Sequence, residues 1–144
     1  MKTVFVDSSV LFTATNSPTG GSAKLFTIKE IKLIVSSWVL TETERNVRAK
    51  LHDYHLDRFF NLVGQAQIFK IQPDIKLLQK AQKVIALKDA VILAEAKFSK
   101  SDFLVTLDRK DFLNEKVAEF LTPATALTPK DLIAFMAVDS HPKK

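Results

Sequence analysis

Six carboxylates stand at or near the places where apolar runs of the sequence begin or end. Asp7 follows "TVFV" directly, and Asp108 follows "FLVT" with only Leu107 between them. Asp111 comes three residues after Asp108, and Asp89 opens the apolar segment "AVILA". Glu42 and Glu44 fall in the opening turns of the segment after "IKLIVSS". Like charges brought together suppress one another's ionisation unless a cation compensates. Oxygen ligands without Cys or His suit a hard ion, Mg²⁺ or Mn²⁺, that keeps several waters. Such ions activate water and stabilise charge on a phosphoryl group, and a pair about 3.5–4 Å apart serves in-line displacement at a phosphodiester. Each acid also has a plainer explanation. Asp7 could cap a turn or helix, Asp89 could be an N-cap beside the helix dipole, and Asp108 and Asp111 could be turn and cap residues. Leu40, Val47 and Leu51 mark an apolar seam that Glu44 lies nearer than Glu42. Periodicity alone does not choose between the two glutamates.

For these acids to meet, the elements before them must be parallel strands. "TVFV", "IKLIVSS", "QIFKI" (Gln67 to Ile71) and "FLVT" read as four strands, and "FLTPATAL" offers a fifth. Ser37 is the expected N-cap of a helix from Trp38, and two successive helices fill the span to about Gly64. Pro73 and Asp74 open another helix, with Ile75, Leu78, Ala81 and Ile85 at helical spacing. "LKDAVILAEAKFSKS" reads as a core helix, apolar almost all round at "AVILA". Thr128, Pro129 and Asp131 fit the N-cap, first-turn and capping-box positions of the last helix. Alternating strands and helices predict an α/β sandwich of three layers around a mostly parallel sheet of four to five strands. In such sheets ligands bind beyond the carboxyl ends of the strands. That is where Asp7 and Asp108 are expected, with Glu42 and Asp89 brought to the same edge.

The composition narrows the chemistry. A chain of 144 residues is long enough to close one hydrophobic core. The expected organisation is a single domain over 1–137 and a flexible tail over 138–144. No run reaches the roughly 18 apolar residues of a membrane span, and Asp7 interrupts any leader-like start, so a cytoplasmic protein without a membrane partner is expected. The absence of cysteine excludes disulfides, thiolate zinc sites and thiol nucleophiles. His52 and His55 have helical spacing but no third ligand, His141 shows no partner pattern, and Gly20 and Gly21 are too little for a phosphate-cradling loop. A net charge of +5 alongside clustered acids suits a nuclease, with an acidic pocket in basic surroundings.

The chain resembles the PIN-domain ribonucleases, including the VapC-like toxins of toxin–antitoxin pairs. The resemblance runs from "VFVDSSVL" through "IVSSWVLTETERNV" and "KDAVILAEAKFSKSDFLVTLDRKDF" to "LTPKDLIAF". Its most specific part joins an acid-led helix to "LVT-x-D". The resemblance implies Asp7, Glu42, Asp89 and Asp108 as the catalytic, metal-holding set, and so favours Glu42 over Glu44. It adds Asp111, which contributes in some members, and Ser8 and Thr106 as small hydroxyls that arrange the pocket. It implies Mg²⁺- or Mn²⁺-dependent hydrolysis of single-stranded RNA to 5′-phosphate and 3′-hydroxyl ends, an antitoxin protein as partner, and a homodimer. Leu107 departs from the glycine or polar residue of many members, which bears on substrate detail. Lys88, Arg109 and Lys110 adjoin the acids and could contact RNA phosphates, or be solvated charges. Phe59, Phe60 and Leu62 could serve a dimer face or the core. Two rivals remain: a structure-specific DNA nuclease, for which no helical arch is evident, and a non-catalytic module that binds RNA or protein.

Overall fold

The computed structural model describes residues 1–70 and 72–139. Strand β1 (Lys2–Val6) is followed by helices α1 (Ser8–Asn16) and α2 (Gly21–Lys24) and a 3₁₀ turn at Leu25–Thr27. Strand β2 (Ile31–Ser36) leads into α3 (Ser37–Lys50) and α4 (Tyr54–Val63). Strand β3 (Gln67–Phe69) precedes α5 (Ile75–Gln82) and α6 (Leu87–Phe98). Strand β4 (Phe103–Val105) is followed by the short α7 (Arg109–Phe112) and α8 (Glu115–Leu121), then β5 (Thr125–Leu127) and α9 (Pro129–Asp139).

The five strands form one all-parallel sheet in the order β3-β2-β1-β4-β5. Helices covering a parallel sheet bury its strands on both faces, which is why the strands are runs of apolar residues rather than alternations. Val4, Phe5 and Val6 of β1 and Phe103, Leu104 and Val105 of β4 are all buried. One group of helices, α1 to α4, packs together, and α5, α6 and α8 make a second, giving the expected α/β sandwich. The chain adds β2 and β3 on one side of β1, then crosses to the other for β4 and β5. The order therefore reverses between β1 and β4, where an open α/β sheet leaves a crevice for ligands.

Side-chain caps set several helix starts. Asp74 accepts from the Leu77 N–H at 2.8 Å, Asn114 from Val117 at 3.0 Å, and Thr128 from Asp131 at 3.2 Å. Ser36, not Ser37, caps α3: its backbone is extended and its Oγ accepts from the Val39 N–H at 3.1 Å, while Ser37 is already helical. β3 ends at Phe69, earlier than expected, and Ile71 lies outside the described residues. α9 continues through Asp139, two residues past the expected domain boundary, and 140–144, with His141, lie outside the described residues. Phe59 and Leu62 belong to the core and Phe60 is exposed, so of the three only Phe60 is available to a partner.

Candidate functional site

The crevice between β1 and β4 is organised around Asp7. Its N–H donates to Val105 O at 3.1 Å, carrying the strand pairing one residue past β1. This sets Asp7 beside Thr106, whose Oγ1 donates to Asp7 Oδ2 at 2.8 Å. Ser9 Oγ donates to the same oxygen at 2.6 Å. Both hydroxyls then accept from the turn beyond β4: Thr106 from the Asp108 N–H and Ser9 from the Leu107 N–H, each at 3.1 Å. Two hydroxyls thus tie one buried carboxylate to the backbone that carries Asp108. Thr106 was expected to support the pocket. Ser8 plays the lesser part, its Oγ 3.5 Å from Asp7 Oδ1, and Ser9 was missed. The signal for Ser9 was present: in "DSS" the second serine lies in the first turn of the helix, facing back to the strand end.

The four other acids gather round this hub from three helices. Carboxylate oxygens of Asp89, Asp108 and Asp111 lie within 4.8 Å of one another. Asp108 also accepts from the Asp111 N–H at 3.0 Å and so caps α7, which makes the capping role and membership of the cluster compatible. Asp7 occupies the N-cap position of α1 but makes no side-chain cap bond there. Asp89 is not the N-cap of α6; Ala86 is, and Asp89 sits in the first turn. Glu42 is near enough for its charge to act on Asp7. Glu44 instead accepts from Arg48 Nε at 3.0 Å, the sole ion pair among the described residues. Lys88, Arg109 and Lys110 are exposed near the cluster. His52 and His55 stack with Tyr54 and are no part of it.

The electrostatics are those of crowded acids. Burial raises the pKa of Asp7, which is 4% exposed; bonds from Ser9, Thr106 and the Ser8 backbone oppose the rise, and the Glu42 charge adds to it. Burial likewise pushes Asp89 up to about 6; Lys88 opposes this, and Asp7, Asp108 and Asp111 reinforce it. Asp89 Oδ2 is shut away from solvent with no hydrogen-bond partner among the described residues. A buried acceptor without a donor costs about 1–3 kcal/mol. An all-oxygen donor set with one such orphaned oxygen fits a hard divalent cation, which would supply the missing partner and offset the mutual repulsion.

A family model described as "PIN domain" matches residues 4–117. No curated protein matches the sequence. Among solved structures, PAE2754 from Pyrobaculum aerophilum superposes with a TM-score of 0.64 at 18% identity, over 95% of this chain and 90% of that one. VapBC2 from Rickettsia felis, bound to a DNA fragment from its promoter, gives 0.66 at 15% identity over 88% and 98%. VapC20 from Mycobacterium tuberculosis, a toxin that cleaves the sarcin-ricin loop, gives 0.55 at 15% identity over 74% and 91%. At these identities the likeness is one of fold.

Proposed function

The chain belongs to the PIN domain family, and on that premise we propose that it is a metal-dependent endoribonuclease acting on single-stranded RNA in the cytoplasm, as the toxin of a toxin–antitoxin pair. One observation carries this reading: acids from separate parts of the chain share a crevice in which Asp89 Oδ2 has no donor. Hydrolysis would be the work of the domain over 1–137. Asp7, Glu42, Asp89 and Asp108 would hold the ion, with Asp111 as a further ligand. Mg²⁺ or Mn²⁺, when bound, supplies Lewis acidity and an activated water for phosphodiester hydrolysis. Thr106 and Ser9 keep the Asp7 carboxylate aimed and, by donating to it, favour its ionised form against the effect of burial, with Ser8 assisting. Lys88, Arg109 and Lys110 attract and seat the phosphates on either side, as exposed cations beside a single strand do.

An antitoxin protein and a second copy of the chain are the proposed partners, since the fold is shared with VapBC2 and with the toxin VapC20. The exposed Phe60 is open to either. The deciding experiment uses end-labelled RNA and DNA of one sequence, with Mg²⁺ or Mn²⁺ titrated against an EDTA control. Metal-dependent cleavage of RNA alone, abolished by Asp108→Asn, is expected. Cleavage of DNA alone would make the protein a DNA nuclease. Binding of RNA without cleavage of either would make it a non-catalytic module.

A further inference from the structure

Glu95 stands in the apolar helix α6 and is 4% exposed. A buried carboxyl requires partners. Ser36 Oγ donates to its Oε1 at 2.8 Å, the one side-chain hydrogen bond to this carboxylate among the described residues. Nothing in the hydrolysis of a phosphodiester at the acidic cluster uses this group. It lines a cavity of about 380 Å³ between α3, α5 and α6. The walls are largely apolar and aromatic, with Trp38, Phe69, Leu78 and Val91, and the exposed Lys70 lies at the rim.

The cavity and the acidic cluster are built on the same two helices. α3 gives Trp38 to the cavity and Glu42 to the acids; α6 gives Asp89 to the acids and Glu95 to the cavity. At about 1.5 Å of rise per residue these pairs are about 6 and 9 Å apart along their helices. These separations along the helices are of the order of one nucleotide step, so a phosphate at the acids would place a neighbouring base near the cavity. The volume is at the small end for ligand pockets, which run from about 300 to 1,000 Å³. It suits a single planar ring system better than a peptide or an oligonucleotide. Unpaired bases are recognised by stacking on aromatic side chains and by hydrogen bonds to their exposed edges.

We propose that this cavity receives one unpaired nucleobase adjoining the cleaved phosphate, stacked against Trp38 and Phe69 with Glu95 Oε2 reading its edge, and that guanine is preferred. An acceptor oxygen matches the adjacent N1–H and N2–H of guanine. The single N3–H of uracil is flanked by two carbonyl oxygens that repel a carboxylate. Burial lifts the Glu95 pKa to about 7, against the lowering effect of Ser36, so the accepting form is within easy reach at neutral pH. The ligand class rests on the ribonuclease reading.

Trp38 is the only tryptophan in the sequence, so its emission reports on the cavity without any cleavage. Each of the four nucleoside 5′-monophosphates is titrated into the full chain in EDTA, with calorimetry under the same conditions. Saturable binding is expected, with GMP about tenfold tighter than UMP, the worth of one hydrogen bond to a charged group. Glu95→Gln keeps an oxygen for Ser36 and should weaken GMP about tenfold while circular dichroism stays native. Trp38→Ala, at a position 46% exposed, should weaken binding of all four nucleotides in calorimetry, because stacking is base-tolerant. No binding of any nucleotide, or equal GMP affinity in the folded Glu95→Gln variant, overturns the proposal. So does Trp38 emission that follows protein concentration alone, which would mark the cavity as a contact between copies of the chain. RNA cleavage without nucleotide binding would sink the pocket and spare the nuclease. Selective GMP binding without RNA cleavage would do the reverse.

Discussion

Glutamine in place of Glu95 removes a proton-binding group and keeps the oxygen that Ser36 bonds. Burial raises the glutamate from its ordinary 4.5 to about 7, so the folded protein retains a proton that the unfolded chain releases between those values. Stability from that proton is fully present below pH 4.5, falls as pH rises through 7, and is level above. Moving a pKa from 4.5 to about 7, at about 1.36 kcal/mol per pH unit, corresponds to about 3 kcal/mol. Glutamine, neutral at every pH, undergoes no such loss. Urea unfolding of both proteins at steps from pH 4 to 8.5 gives the difference directly, provided the slopes with urea agree. Asp7 and Asp89 have raised pKa values too, but they titrate in both proteins and cancel. The variant should gain on wild type by about 3 kcal/mol across the range. Profiles that run parallel through pH 4.5 to 7 would show that Glu95 is ionised in the folded protein, and the account of its burial would be wrong.

Asp89→Asn should abolish cleavage yet unfold no more readily than wild type in EDTA, because it removes one of several repelling charges; Mg²⁺ should stabilise wild type and stabilise the variant less. A variant less stable in EDTA would refute the crowding of acids. Glu42→Gln should lower turnover by more than the roughly 10–100-fold typical of a supporting residue. Glu44→Gln should leave turnover intact and shift stability by at most about 1 kcal/mol, since its pair with Arg48 is exposed; the opposite order would reassign the glutamate. Ser9→Ala should reduce metal affinity about 10–100-fold, read by Mg²⁺-dependent thermal shift, with unchanged affinity as the refuting result. RNA binding in Ca²⁺ or EDTA should weaken steeply with added salt, and a flat response would argue for a protein ligand instead.

The parts of this molecule that follow from local chemistry were legible in the sequence. "TVFV" and "FLVT" could only be buried strands, and Asp74 and Thr128 announced their helices by hydroxyl or carboxylate caps. The short helices α7 and α8 were not recognised. Four and seven residues carry too little periodicity to outweigh a turn-like run such as "LDRKDFLNEK". The placing of the α3 cap one residue early had a tertiary cause. Ser36 pairs with Phe69 at the end of β2 and bonds Glu95 from α6, and neither neighbour is visible locally. Asp7 and Asp108 stood out by their positions after strands and Asp89 by opening the core helix, whereas only the family resemblance favoured Glu42 over Glu44. The tie from Ser9 to the turn at Leu107 depends on pairing between strands nearly the whole domain apart. Glu95 left one trace, an acid set within the apolar stretch between Asp89 and Lys97.

The hydrogen bond from Thr106 to Asp7 joins residues 99 apart in the chain, and that separation is also an interval of time. Ribosomes add about 5–20 residues per second, so Asp7 emerges about 5–20 s before the residue that anchors it. During that wait β1 can pair with β2, but its other edge has no neighbour and its carboxylate lacks the Thr106 hydroxyl. Asp108 and Asp111 have not yet been made. No nascent fragment that stops before residue 111 contains the acidic cluster, however well its first half has folded. A protein proposed to cut RNA is born attached to RNA, and this topology withholds the acidic cluster until Asp111 has been added.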